Sequence, residues 1–254
     1  MALKVAIYGL TTIPEVKQGD DIAKLVVESA SREGVGIEDG DVVVVSSKIV
    51  AKAEGRIVDL RNVSPSPKAL ELARITGKDP RFIEVVLRES VKIVKAAPGH
   101  LIVETRHGVV CANAGVDKSN VAGTEEVVAL LPSDPDEWAR RIRREIKRLT
   151  GREVAVVVTD TYGRPLRNGQ IDMAIGLSGI EAFRDYRDKK DMKGYVMRVK
   201  LIAIADEIAA AAELVKGNGG EMVPVAILRG LKYERSESAS ARDLVMPEER
   251  WLFR

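Results

Sequence analysis

The sequence predicts a globular chain of mixed helices and strands, built as one large domain or two closely joined ones. Three observations carry this. At 254 residues the chain exceeds the usual single-domain size and is short for two large domains. Hydrophobic residues make up 45% and charged residues 31%, with 40 basic against 38 acidic side chains, so a substantial core is available and the basic excess of a nucleic-acid binder is missing. Short β-branched runs alternate with segments of helical periodicity, without an internal repeat or a low-complexity linker. The dense charge of both signs, with 4% aromatic residues, suits the surface ion-pair networks of heat-adapted proteins.

Cysteine and histidine usage narrows the chemistry. Cys111 is the single cysteine, so no intrachain disulfide forms, and two histidines leave no Cys/His set for structural zinc. A hard cation held by oxygen ligands is the remaining metal option. The opening MALKVAIYGL enters a strand directly, without the basic region, apolar run and cleavage site of a leader, and no stretch reaches membrane-spanning length. The expectation is a cytoplasmic protein with no membrane contact.

Residues Leu3 to Tyr8 read as a strand, followed by a small-residue turn over Gly9, Leu10, Thr11, Thr12, Ile13 and Pro14. Its amides and hydroxyls suit a base or phosphate, although most such turns only connect elements. Asp20 or Asp21 caps a helix with Ile22, Leu25, Val26 and Ala30 on one face. Asp41 to Val45 is a β-branched strand that opens into Ser46, Ser47 and Lys48, with Lys52 and Glu54 beyond; a lysine there suits phosphate, but the P-loop pattern is absent. Ser64 to Pro67 and Asp79-Pro80 start two short helices, and Val91 to Ala96 and Leu101 to Glu104 read as strands.

In GVVCANAGVDKSNV, a short strand at Val109 to Cys111 leads to a loop holding Asn113, Asp117, Ser119 and Asn120. Cys111 has apolar neighbours and no activating histidine, which makes it a packing residue. Ser133, Asp134 and Pro135 start a helix whose stripe of Trp138, Ile142, Ile146 and Leu149 ends at Gly151, its basic residues forming a solvated face. Phe183 to Lys193 is charged and surface-exposed, and Leu201 to Lys216 is an alanine-rich helix. Gly217 to Glu221 forms a glycine-rich loop before a strand at Val223 to Leu228, and Trp251, Leu252 and Phe253 are apolar enough to dock.

The most informative stretch runs from Val154 to Ile180. An apolar run turns polar at Thr159, Asp160 and Thr161, which places Asp160 at a strand end. The following loop carries Gly163, Arg164, Pro165, Arg167, Asn168, Gly169 and Gln170, more polar chemistry than a turn requires. A carboxylate on a strand end ligates Mg or Mn, and arginines hold phosphate or carboxylate in a bidentate fork. Asp117 is the natural partner for Asp160, although Asx-rich turns also make ordinary loops.

These motifs, GVVCANAGVDKSNV, DTYGRPLRNGQIDMAIGLSGI, SSKIVAKAEGR and the closing ARDL…LFR, resemble the coenzyme F420-0:L-glutamate ligase (F420:γ-glutamyl ligase) family over nearly the whole chain, with Leu166 where an aromatic residue is expected. The resemblance implies an α+β fold, with mixed and antiparallel sheets, packed helices and two closely joined subdomains, in a single catalytic unit over residues 1–254. It implies a homodimer that uses GTP to add L-glutamate to the deazaflavin coenzyme F420-0, then a second, γ-linked glutamate. It also implies two divalent ions, Mg or Mn, with potassium in some members. Carried over by motif, Asp117 and Asp160 hold the first metal, and Thr161 and Glu221 the second. GTP is contacted by Leu10, Thr11, Thr12 and Ile13, by Ser46, Ser47 and Lys48 or Lys52, by Asn120, and by Gly219, Gly220, Glu221, Met222, Val223, Pro224, Val225 and Ala226.

The chemistry agrees with that resemblance. Amide formation from a carboxylate requires activation, and an acyl phosphate formed by phosphoryl transfer supplies it, with charge handled by metals and cations rather than by a nucleophilic side chain. On this reading Asp160, Arg164 and Arg167 carry the catalytic charge chemistry, the arginines holding the acceptor carboxylate or the coenzyme phosphate. The rival readings are a metal-dependent nucleotide phosphohydrolase and a non-catalytic nucleotide-sensing module.

Overall fold

The two valine runs of the sequence lie side by side at the centre of the molecule. In the computed structural model, which describes residues 3–121 and 123–252, the elements are, in chain order, β1 (Ala6–Leu10), α1 (Ile22–Arg32), β2 (Val42–Ser46), α2 (Ser47–Glu54), β3 (Ile57–Asp59), α3 (Pro67–Thr76), α4 (Pro80–Arg88), β4 (Ser90–Ala97), β5 (His100–Thr105), β6 (Val110–Ala112), β7 (Val127–Ala129), α5 (Pro135–Thr150), β8 (Ala155–Gly163), β9 (Gln170–Ser178), β10 (Arg184–Asp185), β11 (Leu201–Ile202), α6 (Ile204–Lys216) and β12 (Val225–Arg229). The mixture of sheets and helices is the α+β class expected.

The main sheet has the order β1-β12-β2-β8-β9, with β2 and β8 parallel and every other pair antiparallel. Val42 to Val45 and Ala155 to Val158 are fully buried, because helices cover both faces of the sheet and neither face of these strands meets water. Val43, Val45, Val156 and Val158 pack with α1, α2 and α5, whereas Val42, Val44, Ala155 and Val157 pack with α6. A separate core, built from Leu60, Leu72, Ile83, Val86, Leu101 and Val103, belongs to residues between α2 and α5.

Local chemistry sets the helix ends. Asp21, Ser66, Asp79 and Asp134 accept backbone N–H groups at their helix starts, and Gly55, Gly77 and Gly151 close helices in the left-handed region. Gly176 allows close packing instead. A Cβ there would lie 2.4 Å from the Pro135 carbonyl, so glycine permits the start of α5 to rest on β9.

Several boundaries differ from the sequence reading. β1 starts later and absorbs Gly9 and Leu10, because pairing with β12 continues to Leu10↔Val225. Ser47, Lys48 and Lys52 lie on α2 rather than in a loop. Asp160 is not terminal in β8, which runs on to Gly163 because β9 pairs with it through Gly163↔Gln170. Leu201 and Ile202 form β11 ahead of α6, and Leu252 is 88% exposed rather than docked, whereas Phe253 lies outside the described residues.

Candidate active site

Strand direction gathers the candidate residues. β1, β2 and β8 all run the same way, so their C-terminal ends, together with the start of β12, meet at one end of the sheet through Leu10↔Val225, Val225↔Val45 and Val45↔Val158. β2 stops at Ser46, which leaves β8 without that neighbour beyond Thr159. Asp160 turns into this gap and accepts a hydrogen bond from the Ser47 hydroxyl at 2.7 Å, against the first turn of α2 with its positive dipole end.

Lys48, next on α2, spans the gap. Its ammonium donates to Asp117 Oδ2 at 2.7 Å, to the Ser119 carbonyl at 2.8 Å and to Ser119 Oγ at 2.9 Å. Asp117 is held by a reciprocal backbone pair with Ala129, Asp117 N to Ala129 O at 3.0 Å and Ala129 N to Asp117 O at 2.8 Å, which ties its loop to β7. Asn120, at φ 53° in the left-handed region that asparagine tolerates, donates Nδ2 to the Gly219 carbonyl at 3.0 Å. The sheet end, the 113–121 loop and the 217–224 loop are therefore joined by hydrogen bonds.

Electrostatics distinguishes the two aspartates. Burial pushes the Asp160 carboxyl up to about 7; the Ser47 hydroxyl and Lys48 ammonium oppose this, and the Asp172 and Asp117 carboxylates add to it. Burial also pushes Asp117 upward, but the Lys48 ammonium and the Ser119 donors outweigh it and hold that carboxyl below its usual range. Asp160 is thus the less compensated of the two carboxyls. Neighbouring Cys111 has its thiol pushed up to about 11 by burial, which agrees with a packing role.

Adjacent strand residues face opposite ways, so Thr161 points to the α6 side. Its hydroxyl lies 2.9 Å from both Asp172 Oδ1 and Asn218 Oδ1. Glu221 folds back over its own loop, accepting from Gly219 N at 2.7 Å. The four expected metal ligands therefore divide into Asp117 and Asp160 on one side of β8, and Thr161 on the other, beside the 217–221 loop that carries Glu221. Among the described residues no three His, Cys, Asp or Glu side chains form a metal cluster. The donor set nevertheless suits a hard cation that draws its remaining ligands from phosphate and water, as magnesium commonly does.

The other candidates are placed unevenly. Thr11 N and Thr12 N donate to Glu33 Oε1 at 2.9 and 2.8 Å, so those amides already hold a carboxylate, while Leu10 and Ile13 are buried in the core. Ser46 N donates to the Pro224 carbonyl at 2.9 Å, Lys52 pairs with Glu15 at 3.4 Å, Val225 and Ala226 are fully buried, Met222 is 79% exposed, and Gly220 is exposed. Val223 packs against Gly9, where a Cβ would meet its side chain at 2.8 Å. Arg164 donates from Nη2 to the Asn168 carbonyl at 2.8 Å and has a buried Nε with no partner among the described residues; Arg167 is exposed. The hydrogen bonds of Asp117 and Asp160 go to Lys48, Ser119 and Ser47, not to these arginines.

The sequence reading missed Asp172, Glu33, Glu213 and Lys216. The single acid beside the apolar run from Met173 and the lysine closing the alanine-rich helix were the available signals. Past the β8 end, Tyr162, Gly163 and Pro165 border a groove of about 830 Å³, lined also by Val94, Val109 and Trp251. The Tyr162 hydroxyl is buried beside the Cys111 thiol, and burial first, then Cys111 and Asp160, pushes its proton affinity up.

Two aspartates, one lysine and a glycine-rich loop meet at one end of the sheet, a donor set whose chemistry suits cations and multiply charged anions. Comparison with known proteins makes this specific: residues 11–230 match the family described as F420-0:Gamma-glutamyl ligase, and the chain belongs to that family. It is 41% identical over 251 residues to the coenzyme F420:L-glutamate ligase of Methanothermobacter thermautotrophicus, covering 98% of this chain and 99% of the relative. It is 44% identical over 243 residues to that of Methanopyrus kandleri, covering 94% of each. The Methanocaldococcus jannaschii protein of the same name is 41% identical over 253 residues, covering 99% of this chain and 97% of its own.

Proposed function

We propose that the protein is a GTP-dependent ligase that adds L-glutamate to coenzyme F420-0, then a second glutamate by a γ-linkage. Family membership supports the ligation. The observation that carries the mechanism is the convergence of Lys48, Asp117 and Asp160 at one end of the sheet. Asp160 has a carboxyl pushed up to about 7 by burial and by neighbouring acids, an environment that a divalent cation would relieve.

In this mechanism the acceptor carboxylate attacks the γ-phosphate of GTP, giving an acyl phosphate and GDP. The glutamate amine then attacks the acyl carbon, the amide forms, phosphate leaves, and the amine proton passes to solvent. Asp117 and Asp160 would hold one Mg or Mn ion, and Thr161 and Glu221 a second. Bound there, such ions neutralise phosphate charge and favour phosphoryl transfer. Lys48 contributes a cation that leaves Asp117 for phosphate oxygens, and Ser47 fixes the Asp160 rotamer through its 2.7 Å hydrogen bond. Arg164 and Arg167, on the β8–β9 turn, hold the acceptor's anionic groups, and the groove beside Tyr162 takes its flat ring. Potassium binding and a homodimeric assembly complete the proposal.

The test is phosphate release from GTP with Mg or Mn, adding F420-0 and L-glutamate singly and together, with mass spectrometry of the product. Release that needs both, with a gain of one or two glutamyl units, supports the ligase. Release without either points to a phosphohydrolase, and tight GTP binding without turnover to a sensing module.

A further inference from the structure

Lys216 and Asp172 are 2% and 3% exposed, and their Nζ and Oδ2 atoms lie 2.6 Å apart. The ammonium also donates to Thr159 Oγ1 at 2.6 Å, and that hydroxyl lies 3.0 Å from Asp172 Oδ2. Burying an ion pair costs solvation that mutual attraction barely offsets, and apolar residues of similar size commonly serve stability as well. Its position suggests another purpose. Lys216 is the last residue of α6, directly before the 217–221 loop, and Asp172 lies on β9 opposite Thr161.

The network reaches the candidate metal ligands from beneath. Thr161 carries one hydroxyl hydrogen and faces two oxygens, Asp172 Oδ1 and Asn218 Oδ1, each at 2.9 Å. The Asn218 amide nitrogen is engaged by Glu213 Oε1, which turns its oxygen toward Thr161. Glu213 Oε2 in turn accepts from Asp172 N at 2.9 Å. The carboxylate is the stronger acceptor, so the Thr161 hydrogen points inward to Asp172. Thr161 Oγ1 and Asn218 Oδ1 then face each other with lone pairs and no hydrogen between them, an arrangement that a cation satisfies.

We infer that Lys216, Asp172 and Asn218 are positioning residues that clamp the 217–221 loop to the end of β8 and direct the lone pairs of Thr161 toward a divalent cation. This rests on the nucleotide-and-metal reading of the site. Neutralising both buried charges in Asp172→Asn/Lys216→Met creates no newly unpaired charge inside the protein, whereas either change alone would create one. The measurement is manganese binding followed by electron paramagnetic resonance without turnover, together with separate KM values for GTP and glutamate and a melting curve.

The expected double variant melts as a folded protein, binds manganese about 10–100-fold more weakly and shows a raised KM for GTP at unchanged KM for glutamate. A folded double variant with wild-type manganese affinity and GTP KM would overturn the inference. Asn218→Ala alters an exposed loop residue and leaves the buried pair in place, so it tests the same network should the double variant not fold. Several-fold weaker manganese binding is expected, and unchanged binding refutes the network. Wild-type protein that binds no manganese with GTP present would instead refute the reading of the site itself.

Discussion

Asp160→Asn should raise the stability of the metal-free protein at pH 8 and, with Mg or Mn supplied, remove ligase activity. The Asp160 carboxyl is pushed up to about 7 from an ordinary 3.8, by burial first and by the Asp172 and Asp117 carboxylates in addition. Between those values the folded protein holds a proton that the unfolded chain has released. Stability therefore falls as pH rises from about 4 to about 7, by at most about 1.4 kcal/mol per unit, and the full loss persists above that window. The span of roughly three units sets a ceiling of about 4 kcal/mol; relaxation and water entry around the charge reduce this to roughly 1–3 kcal/mol. Asparagine is neutral throughout, and its amide oxygen still accepts from the Ser47 hydroxyl. In a chelator, wild type and variant should melt together only below about pH 4 and separate progressively up to pH 8, the variant higher by about 2–4 °C per kcal/mol. Manganese should then raise the wild-type midpoint and leave the variant unmoved. A variant that is no more stable than wild type at pH 8 would refute the argument that Asp160 is an uncompensated charge.

Lys48→Met should raise the KM for GTP at least tenfold with an unchanged circular dichroism spectrum, because the 2.7 Å ion pair with Asp117 is lost along with the candidate phosphate cation; an unaltered KM would remove Lys48 from the nucleotide site. Gly176→Ala should destabilise by about 1–3 kcal/mol in urea unfolding, since the new methyl group meets the Pro135 carbonyl at 2.4 Å and must push α5 off β9. Val94→Asp places a charge on the groove wall at a position already 40% exposed, and should raise the KM for the acceptor without changing those for GTP and glutamate. Chelation should stop ligation reversibly, restored by magnesium or manganese, with no loss of secondary structure.

Much of the fold was legible because its signals were local. Asp21, Asp79 and Asp134 each precede a helix and accept its backbone N–H groups, as the capping chemistry predicts. The valine runs of β2 and β8 were readable as buried strands because both faces are apolar. Asp117 and Asp160 stood out as acids following such runs. What escaped was set by pairing between distant segments. The extension of β8 to Gly163 depends on β9, and nothing in residues 160–163 alone distinguishes a strand from a loop. Lys48 was legible as a cation near a strand end, but its position on α2, with Asp117 69 residues away as partner, follows from tertiary packing that brings the 113–121 loop against α2.

Asp172 shows why this second kind of residue resists sequence reading, and also how the site is arranged. As one acid among Ile171, Met173 and Ala174 it looks like a solvent-facing position on an alternating strand. Instead it is buried, because Lys216 arrives from α6 to neutralise it and Thr159 and Thr161 supply hydroxyls. Two carboxylates on the paired strands β8 and β9 thus have opposite electrostatic fates: Asp172 has a lysine within 2.6 Å, whereas Asp160 is hydrogen-bonded to a neutral serine. Compensation of the first ties β9 to α6, and weaker compensation at the second leaves the charge that the proposed cation would neutralise. Adding a positive charge beside Asp160, with the Lys216–Asp172 pair left intact, would therefore be expected to stabilise the metal-free protein and weaken cation binding together, since the same unpaired carboxylate governs both.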